Sequence, residues 1–241
     1  MGAISPINIT SMIREHSFHT EFQPLLSSAD GGKFAYEAFI RTDPFKNPLT
    51  IFTYARNEGL LYEVDTASMV NAINEYPAHY FARYSLFLNV FPSSIVHPEF
   101  PAFVKLLMAD RPEIKYRIVF EINEDIREQS IWGRKDFLSR LRFLRAHGFK
   151  IALDDLLITK QAVQMIKQFR PDFVKLDRSC CDQLSASLKK QKKISGFLGH
   201  VDHICSVVLE GIETEEDRDK ARELGVPLLQ GYYISRPHRL K

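Results

Sequence analysis

Short apolar runs of β character alternate with helical patterns along this chain, and that alternation restricts the fold more than any single motif does. Residues 22–26 and 33–41 flank the turn signal Ala29-Asp30-Gly31-Gly32 and read as a hairpin. Further strands are expected over 85–90, 117–122, 149–154, 172–177, 206–210 and 228–232. Helical patterns fall between them, over 49–57, 62–74, 98–109, 134–147, 159–169, 182–198 and 214–224. Gly148 and Gly225 supply helix stops, and Thr214 with three acids after it supplies a start. Strands of nearly continuous apolar character separated by helices indicate a parallel sheet covered on its outer face.

Eight strands can be counted. An open doubly wound sheet would carry a glycine-rich phosphate turn after its first strand, and none is present. The expected fold is therefore α/β, a modified (β/α)8 TIM barrel with one antiparallel strand near the N-terminus. The length of 241 residues suits it, since such a barrel typically takes about 250. A short leading helix is expected over 7–16, with Asn8 and Thr10 as caps and Ile9, Met12 and Ile13 as its apolar stripe. The expected division is an N-terminal extension over 1–19 and a barrel over 20–241.

Composition removes several functional classes. The formal net charge is +2, far from the localised positive excess of a nucleic-acid binder, so no DNA partner is expected. Lys189, Lys190, Lys192 and Lys193 read as the solvated face of a helix. No apolar run approaches the ~18 residues that would span a membrane. MGAISPINIT has no basic region followed by an apolar stretch, so no secretory leader is expected. Cys180, Cys181 and Cys205 are odd in number and lack zinc spacing, which fits a reducing, cytoplasmic setting.

Nearly every expected strand carries a polar residue in or just after its apolar run: Glu37, Asn89, Glu121, Asp154 followed by Asp155, Lys175, Glu210 and Gln230. In an α/β barrel the C-terminal strand ends meet at one mouth, so these positions converge. Crowded carboxylates repel and take up protons unless cations neutralise them. Hard oxygen ligands suit Mg2+ or Mn2+, and the absence of histidine from the series argues against zinc. His200 and His203 read as a surface pair, and Trp132 as packing at a loop or helix start.

These residues, in this order, resemble the EAL domain family of cyclic di-GMP phosphodiesterases. The resemblance runs from about Thr20 to Pro237. Phe22-Gln23-Pro24 is similar to the family's opening strand, and Glu37-Ala38-Phe39-Ile40-Arg41 to its signature and arginine. Leu88-Asn89-Val90, Phe120-Glu121-Ile122-Asn123-Glu124, Ala152-Leu153-Asp154-Asp155 and Val174-Lys175-Leu176-Asp177-Arg178 resemble the motifs of successive strands. Glu210-Gly211-Ile212-Glu213-Thr214, Gln230-Gly231-Tyr232 and Ser235-Arg236-Pro237 resemble the closing motifs.

The resemblance implies a barrel that binds cyclic di-GMP and hydrolyses one phosphodiester bond to give linear pGpG. It implies that Glu37, Asn89, Glu121 and Asp154 ligate metal, with Asp155 and Glu210 completing a second site. Mg2+ or Mn2+ is then the cofactor and Ca2+ an inhibitor. Lys175 would orient or help activate the attacking water, and Gln230 would hold that water or the metal's shell. Gln23 and Arg41 would contact the ligand, and Glu124 would anchor the loop after the fifth strand. Two metals would activate the water, clamp the phosphoryl oxygens and stabilise the leaving alkoxide. Arg41 can grip a phosphate or a guanine edge, and Tyr232 can pack near a guanine or belong to the core. A homodimer and a protein partner are compatible with the family.

The chain departs from the family pattern in places. Phe39 replaces the signature leucine, which adds bulk at the ligand floor. Asn123 replaces a hydroxyl residue. After Asp155 the chain reads Leu156-Leu157-Ile158-Thr159-Lys160, without the family's two glycines. Leu157 and Thr159 lack a glycine's access to positive φ, so the loop is expected to strain the second metal site. Two readings stay open: a metal-dependent phosphodiesterase, favoured by the complete ligand set, and a weak or inactive receptor for cyclic di-GMP or a protein, favoured by that loop.

Overall fold

The structure, a computed structural model, describes residues 18–42, 47–123 and 126–240. The leading helix expected over 7–16 and the anchoring role expected of Glu124 lie outside the described residues.

Eight strands close into a barrel in sequence order. β1 (Phe18–Ser27) and β2 (Lys33–Thr42) form the expected hairpin. α1 (Pro48–Asn57) and α2 (Leu61–Glu75) lead to β3 (Ser85–Val90). The short α3 (Pro92–Ile95) and α4 (Phe100–Asp110) precede β4 (Ile118–Asn123). A 3-10 turn (Ile126–Glu128), α5 (Gln129–Trp132) and α6 (Lys135–Ala146) lead to β5 (Lys150–Leu156). α7 (Lys160–Phe169), β6 (Phe173–Leu176), α8 (Leu188–Val201), β7 (Ser206–Leu209), α9 (Glu215–Glu223) and β8 (Leu228–Leu229) complete the chain. β1 runs antiparallel to both neighbours, β2 and β8, and the remaining pairs are parallel.

Period-2 alternation divides each strand between two environments. Leu86, Leu88 and Val90 of β3 face the helices, while Phe87 faces the barrel axis. Across all strands one inward residue each forms an apolar layer: Leu25, Ala35, Phe87, Val119, Ala152, Phe173, Val208 and Leu228. Large and small members interdigitate, so the barrel is plugged rather than open.

Three boundaries differ from expectation. β1 starts at Phe18, four residues before the strand expected over 22–26. The helix expected from 182 starts at Leu188, because Gln183 adopts the left-handed region (φ 53) and Ser187 caps the true start. β8 ends at Leu229 rather than at 232, because the chain after Gln230 folds against the segment that follows β7. Ile212 N donates to Gln230 O at 3.0 Å there. A Cβ on Gly231 would stand 2.1 Å from Ile212 O and 2.2 Å from Ile212 N.

Only glycine fits that approach. Gly231→Ala is expected to lower stability by about 3 kcal/mol, the upper range for overpacking. Urea unfolding of the two proteins measures it, and a change under about 0.5 kcal/mol, the surface-substitution range, would show that the chain relaxes freely there.

Candidate active site

Two residues beyond the apolar layer, on the same face of each strand, lies a second layer. Ala35 is followed by Glu37, Phe87 by Asn89, Val119 by Glu121, Ala152 by Asp154, Phe173 by Lys175, Val208 by Glu210 and Leu228 by Gln230. β1 runs the other way, so its member, Gln23, lies two residues before Leu25. The pairing register levels this layer, with Gln23 opposite Glu37 and Asn89 opposite Glu121. The sequence-expected cluster is thus brought together.

Lys175 is its hub. The side chain is 1% exposed, yet Nζ lies 2.8 Å from Glu37 Oε2, 2.8 Å from Glu121 Oε1, 2.8 Å from Glu210 Oε1 and 3.3 Å from Asp154 Oδ1. Burial alone would push the ammonium's pKa down, but the surrounding carboxylates hold it well above the usual lysine range. On the acids burial acts in the opposite sense, because there it disfavours the negative form. Burial raises Asp154 to about 6 and Glu210 to about 8, against the opposing pull of Lys175. Burial, with the charge of Glu37 beside it, also raises Glu121.

An ammonium has three N–H donors, so it cannot satisfy four carboxylates. Glu37 is well served: Lys175 and Gln230 both donate to its Oε2, Gln230 Nε2 at 2.7 Å. Both Glu121 oxygens, Asp154 Oδ1 and Gln230 Oε1 are buried with no hydrogen bond of good geometry. Unpaired buried oxygens are costly, and oxygens of this kind are the ligands that hard cations take. Carboxylate oxygens of Asp154, Asp155 and Glu210 also lie within 4.8 Å of one another, the only such acid group found among the described residues. The donor set fits divalent metal.

Asp155 joins the cluster through a backbone irregularity. Strict alternation would turn it away from Asp154, but it adopts φ 56 and the β5–β6 register shifts between Leu153 and Leu156. Such a bulge re-aims a side chain, and aspartate tolerates the left-handed region better than most residues. Asn123 Nδ2 donates to Asp155 Oδ2 at 2.6 Å and fixes the result. The strain expected at Leu157 and Thr159 is not found. Thr159 is extended (φ −135) and caps α7 by accepting from Ala162 N, and Leu157 is not among the residues with positive φ. The left-handed residue is Asp155 itself.

A cavity of about 580 Å³ opens over this layer. The acids Glu37, Asp154, Asp155 and Glu210 line one end, with Asn89 beside them. Phe39, Phe52 and Phe91 give it an apolar wall, and Arg41 and Arg127 supply positive charge. Glu21 accepts from Arg41 Nε at 2.8 Å, and Arg41 also donates to Ile40 O.

Two expected ligand contacts are placed elsewhere. Gln23 is buried beneath the cavity, where its Nε2 donates to Ser235 O at 2.8 Å and its Oε1 accepts from Gln230. Tyr232 is 52% exposed outside the cavity, with the Arg236 guanidinium 4.3 Å from its ring centroid. The turn at Gly231 removes it from the strand that would have aimed it inward. Trp132 is buried against Phe137 and Phe169, as expected of packing, and His203 is exposed beside Asp202.

Sequence reasoning missed two buried acids, Asp65, which lines the cavity, and Glu128. Asp65 of α2 accepts from Phe91 N at 3.0 Å, and burial raises its pKa to about 7. Glu128 accepts from Ser93 N at 2.7 Å and Ser93 Oγ at 2.8 Å and pairs with Arg56 of α1. Both fasten the segment just after Asn89. In sequence each is an ordinary helix or turn acid, with no signal of burial.

The family model described as EAL domain matches residues 8–237. Cyclic di-GMP phosphodiesterase PdeF of Escherichia coli is 30% identical over 68% of this chain, which spans 21% of the relative's length. Cyclic di-GMP phosphodiesterase TpdA of Vibrio parahaemolyticus is 24% identical over 93% of this chain and 38% of its own. Among solved structures, the Xanthomonas citri FimX EAL domain in complex with c-diGMP superposes with a TM-score of 0.84 at 19% identity, over 96% of this chain and 92% of that one. The manganese/cy-diGMP complex of Klebsiella pneumoniae BlrP1 gives 0.79 at 25% identity, over 92% and 56%.

Lys175 is expected to hold the acid layer together until metal enters. Lys175→Met, measured by thermal or urea unfolding in EDTA, is expected to lose about 3–5 kcal/mol, the cost of breaking a buried ion pair. Mg2+ should restore more stability to this variant than it adds to the wild type. An unchanged stability in EDTA would contradict the hub role.

Proposed function

This chain belongs to the EAL domain family, and from that premise we propose that it is a metal-dependent phosphodiesterase that hydrolyses cyclic di-GMP to linear pGpG. The observation that carries this reading is the set of buried carboxylate oxygens left without hydrogen bonds around Lys175. Of these acids Asp154 lines a cavity of nucleotide size, which Phe39, Phe52 and Phe91 also line.

Asp154, Asp155 and Glu210 would hold one divalent ion, and Glu37, Asn89, Glu121 and Asp154 the other. Magnesium or manganese bound there supplies Lewis acidity to a phosphoryl oxygen and to a water nucleophile. The protein's own groups do the rest. Lys175 holds positive charge where negative charge grows during attack on phosphorus. Gln230 and Lys175 keep Glu37 in one orientation, so no reorganisation is needed at the moment of reaction. Asn123 keeps Asp155 turned into the mouth. Phe39, Phe52 and Phe91 offer flat apolar surface to a guanine, while the fork of Arg41, held by Glu21 and lining the same cavity, would address the nucleotide. No helix among the described residues is long and apolar enough to cross a membrane.

The reading as an inactive receptor drew its support from the missing glycines after Asp155. Thr159 and Leu157 adopt conformations open to any residue, which favours the enzyme.

Turnover of cyclic di-GMP, followed by chromatography of pGpG with Mg2+ or Mn2+, tests the proposal. Product is expected to form only with metal and to fall at least roughly a hundredfold in Glu37→Gln, as for loss of a preorganised electrostatic group. Tight binding of cyclic di-GMP with no pGpG at any metal concentration would establish the receptor instead.

A further inference from the structure

We infer that Glu128 is a positioning residue for the ligand: it fixes the aromatic side of the cavity, where a base of the cyclic dinucleotide would rest. The inference rests on the phosphodiesterase reading of the site and extends it to a residue outside the polar layer.

The start of α3 lacks a cap of its own. Phe91 holds the N-cap position and offers no side-chain oxygen, and Pro92 has no N–H to give. Ser93 N is then the first helix N–H that needs an acceptor. Glu128 supplies it from the turn after β4. Its Oε2 accepts from Ser93 N at 2.7 Å and its Oε1 from Ser93 Oγ at 2.8 Å. The same Oε1 accepts from Arg56 Nη1 of α1. One carboxylate thus joins three segments that are distant in sequence. At 1% exposure it would be costly without those bonds.

Both partners of Glu128 carry cavity residues beside them. Ser93 follows Phe91 by two positions and Asn89 by four. Arg56 lies one helical turn beyond Phe52, on the same face of α1. The rings of Phe52 and Phe91 pack edge to face with centroids 5.2 Å apart. The Arg56 guanidinium stands 5.2 Å from the Phe91 centroid. Glu128, Arg56, Phe91 and Phe52 therefore form one packed unit, of which Phe52 and Phe91 line the cavity and Glu128 does not. Glu128 acts through the two rings rather than by touching the ligand. Rings held in place before binding offer a base their surface at low ordering cost.

Titration calorimetry of cyclic di-GMP into the full chain with Ca2+ tests the inference on wild type, Glu128→Ala, Glu128→Gln and Val104→Ala. Val104 of α4 is buried and does not line the cavity, so its variant reads what lost stability alone does. Glu128→Ala is expected to bind roughly tenfold more weakly, as for partial loss of base stacking on an aromatic ring. Glu128→Gln keeps an oxygen for Ser93 N and should recover part of the loss. Val104→Ala should keep wild-type affinity while its thermal midpoint falls. In turnover with Mg2+ the Glu128→Ala loss should appear in KM with kcat nearly unchanged, the pattern of lost ground-state binding. If Glu128→Ala does not fold, Glu128→Gln decides by the same comparison, expected between wild type and a tenfold loss. Equal binding by wild type and the Glu128 variants overturns the inference and leaves the function standing. An equal loss in Val104→Ala also overturns it, because that marks stability alone, and so does a fall in kcat at unchanged KM. Absence of binding by the wild type overturns both.

Discussion

The contact between one buried ammonium and four buried carboxylates organises this molecule. Lys175 reaches Glu37, Glu121, Asp154 and Glu210, which arrive on four other strands. Such a set cannot persist in a dry interior unless its charge is balanced. The ammonium balances part of it, and the raised pKa values of Glu121, Asp154 and Glu210 report the remainder. The site is therefore assembled before any ligand arrives, with oxygens left over for cations.

The barrel makes that assembly possible by a simple offset. Each strand places one apolar residue in the plug and, two positions on, one polar residue above it. The plug keeps water out from below and fixes the height of the polar layer. The antiparallel β1 obeys the same rule in reverse, which is why Gln23 belongs to the layer and accepts from Gln230 within it. Asp155 is the exception: it reaches the mouth by breaking alternation at φ 56, and Asn123 holds it there. The asparagine that departs from the family pattern thus does structural duty at the point of strain.

Much of this was legible in the residues. The strand–helix alternation predicts the barrel, and a lone polar residue in each apolar run predicts the layer, because both follow from periodicity. The ends of elements were less legible. The start of α8 depends on a left-handed Gln183, and the end of β8 on how closely Gly231 approaches Ile212. Neither contact is local in sequence. Asp65 and Glu128 were invisible for a related reason: an acid in a helix or turn looks the same whether it is exposed or buried. The loop after Asp155 does without glycines because Leu157 and Thr159 do not take positive φ, a need that sequence alone does not display.

Anomalous diffraction from crystals grown with Mn2+ tests the central claim most directly. The preassembled layer predicts manganese peaks bounded by Asp154, Asp155 and Glu210 and by Glu37, Asn89 and Glu121, with the eight inward residues otherwise unmoved. Crystals saturated with Mn2+ that show no peak at the mouth, or a layer that rearranges to form one, would contradict it.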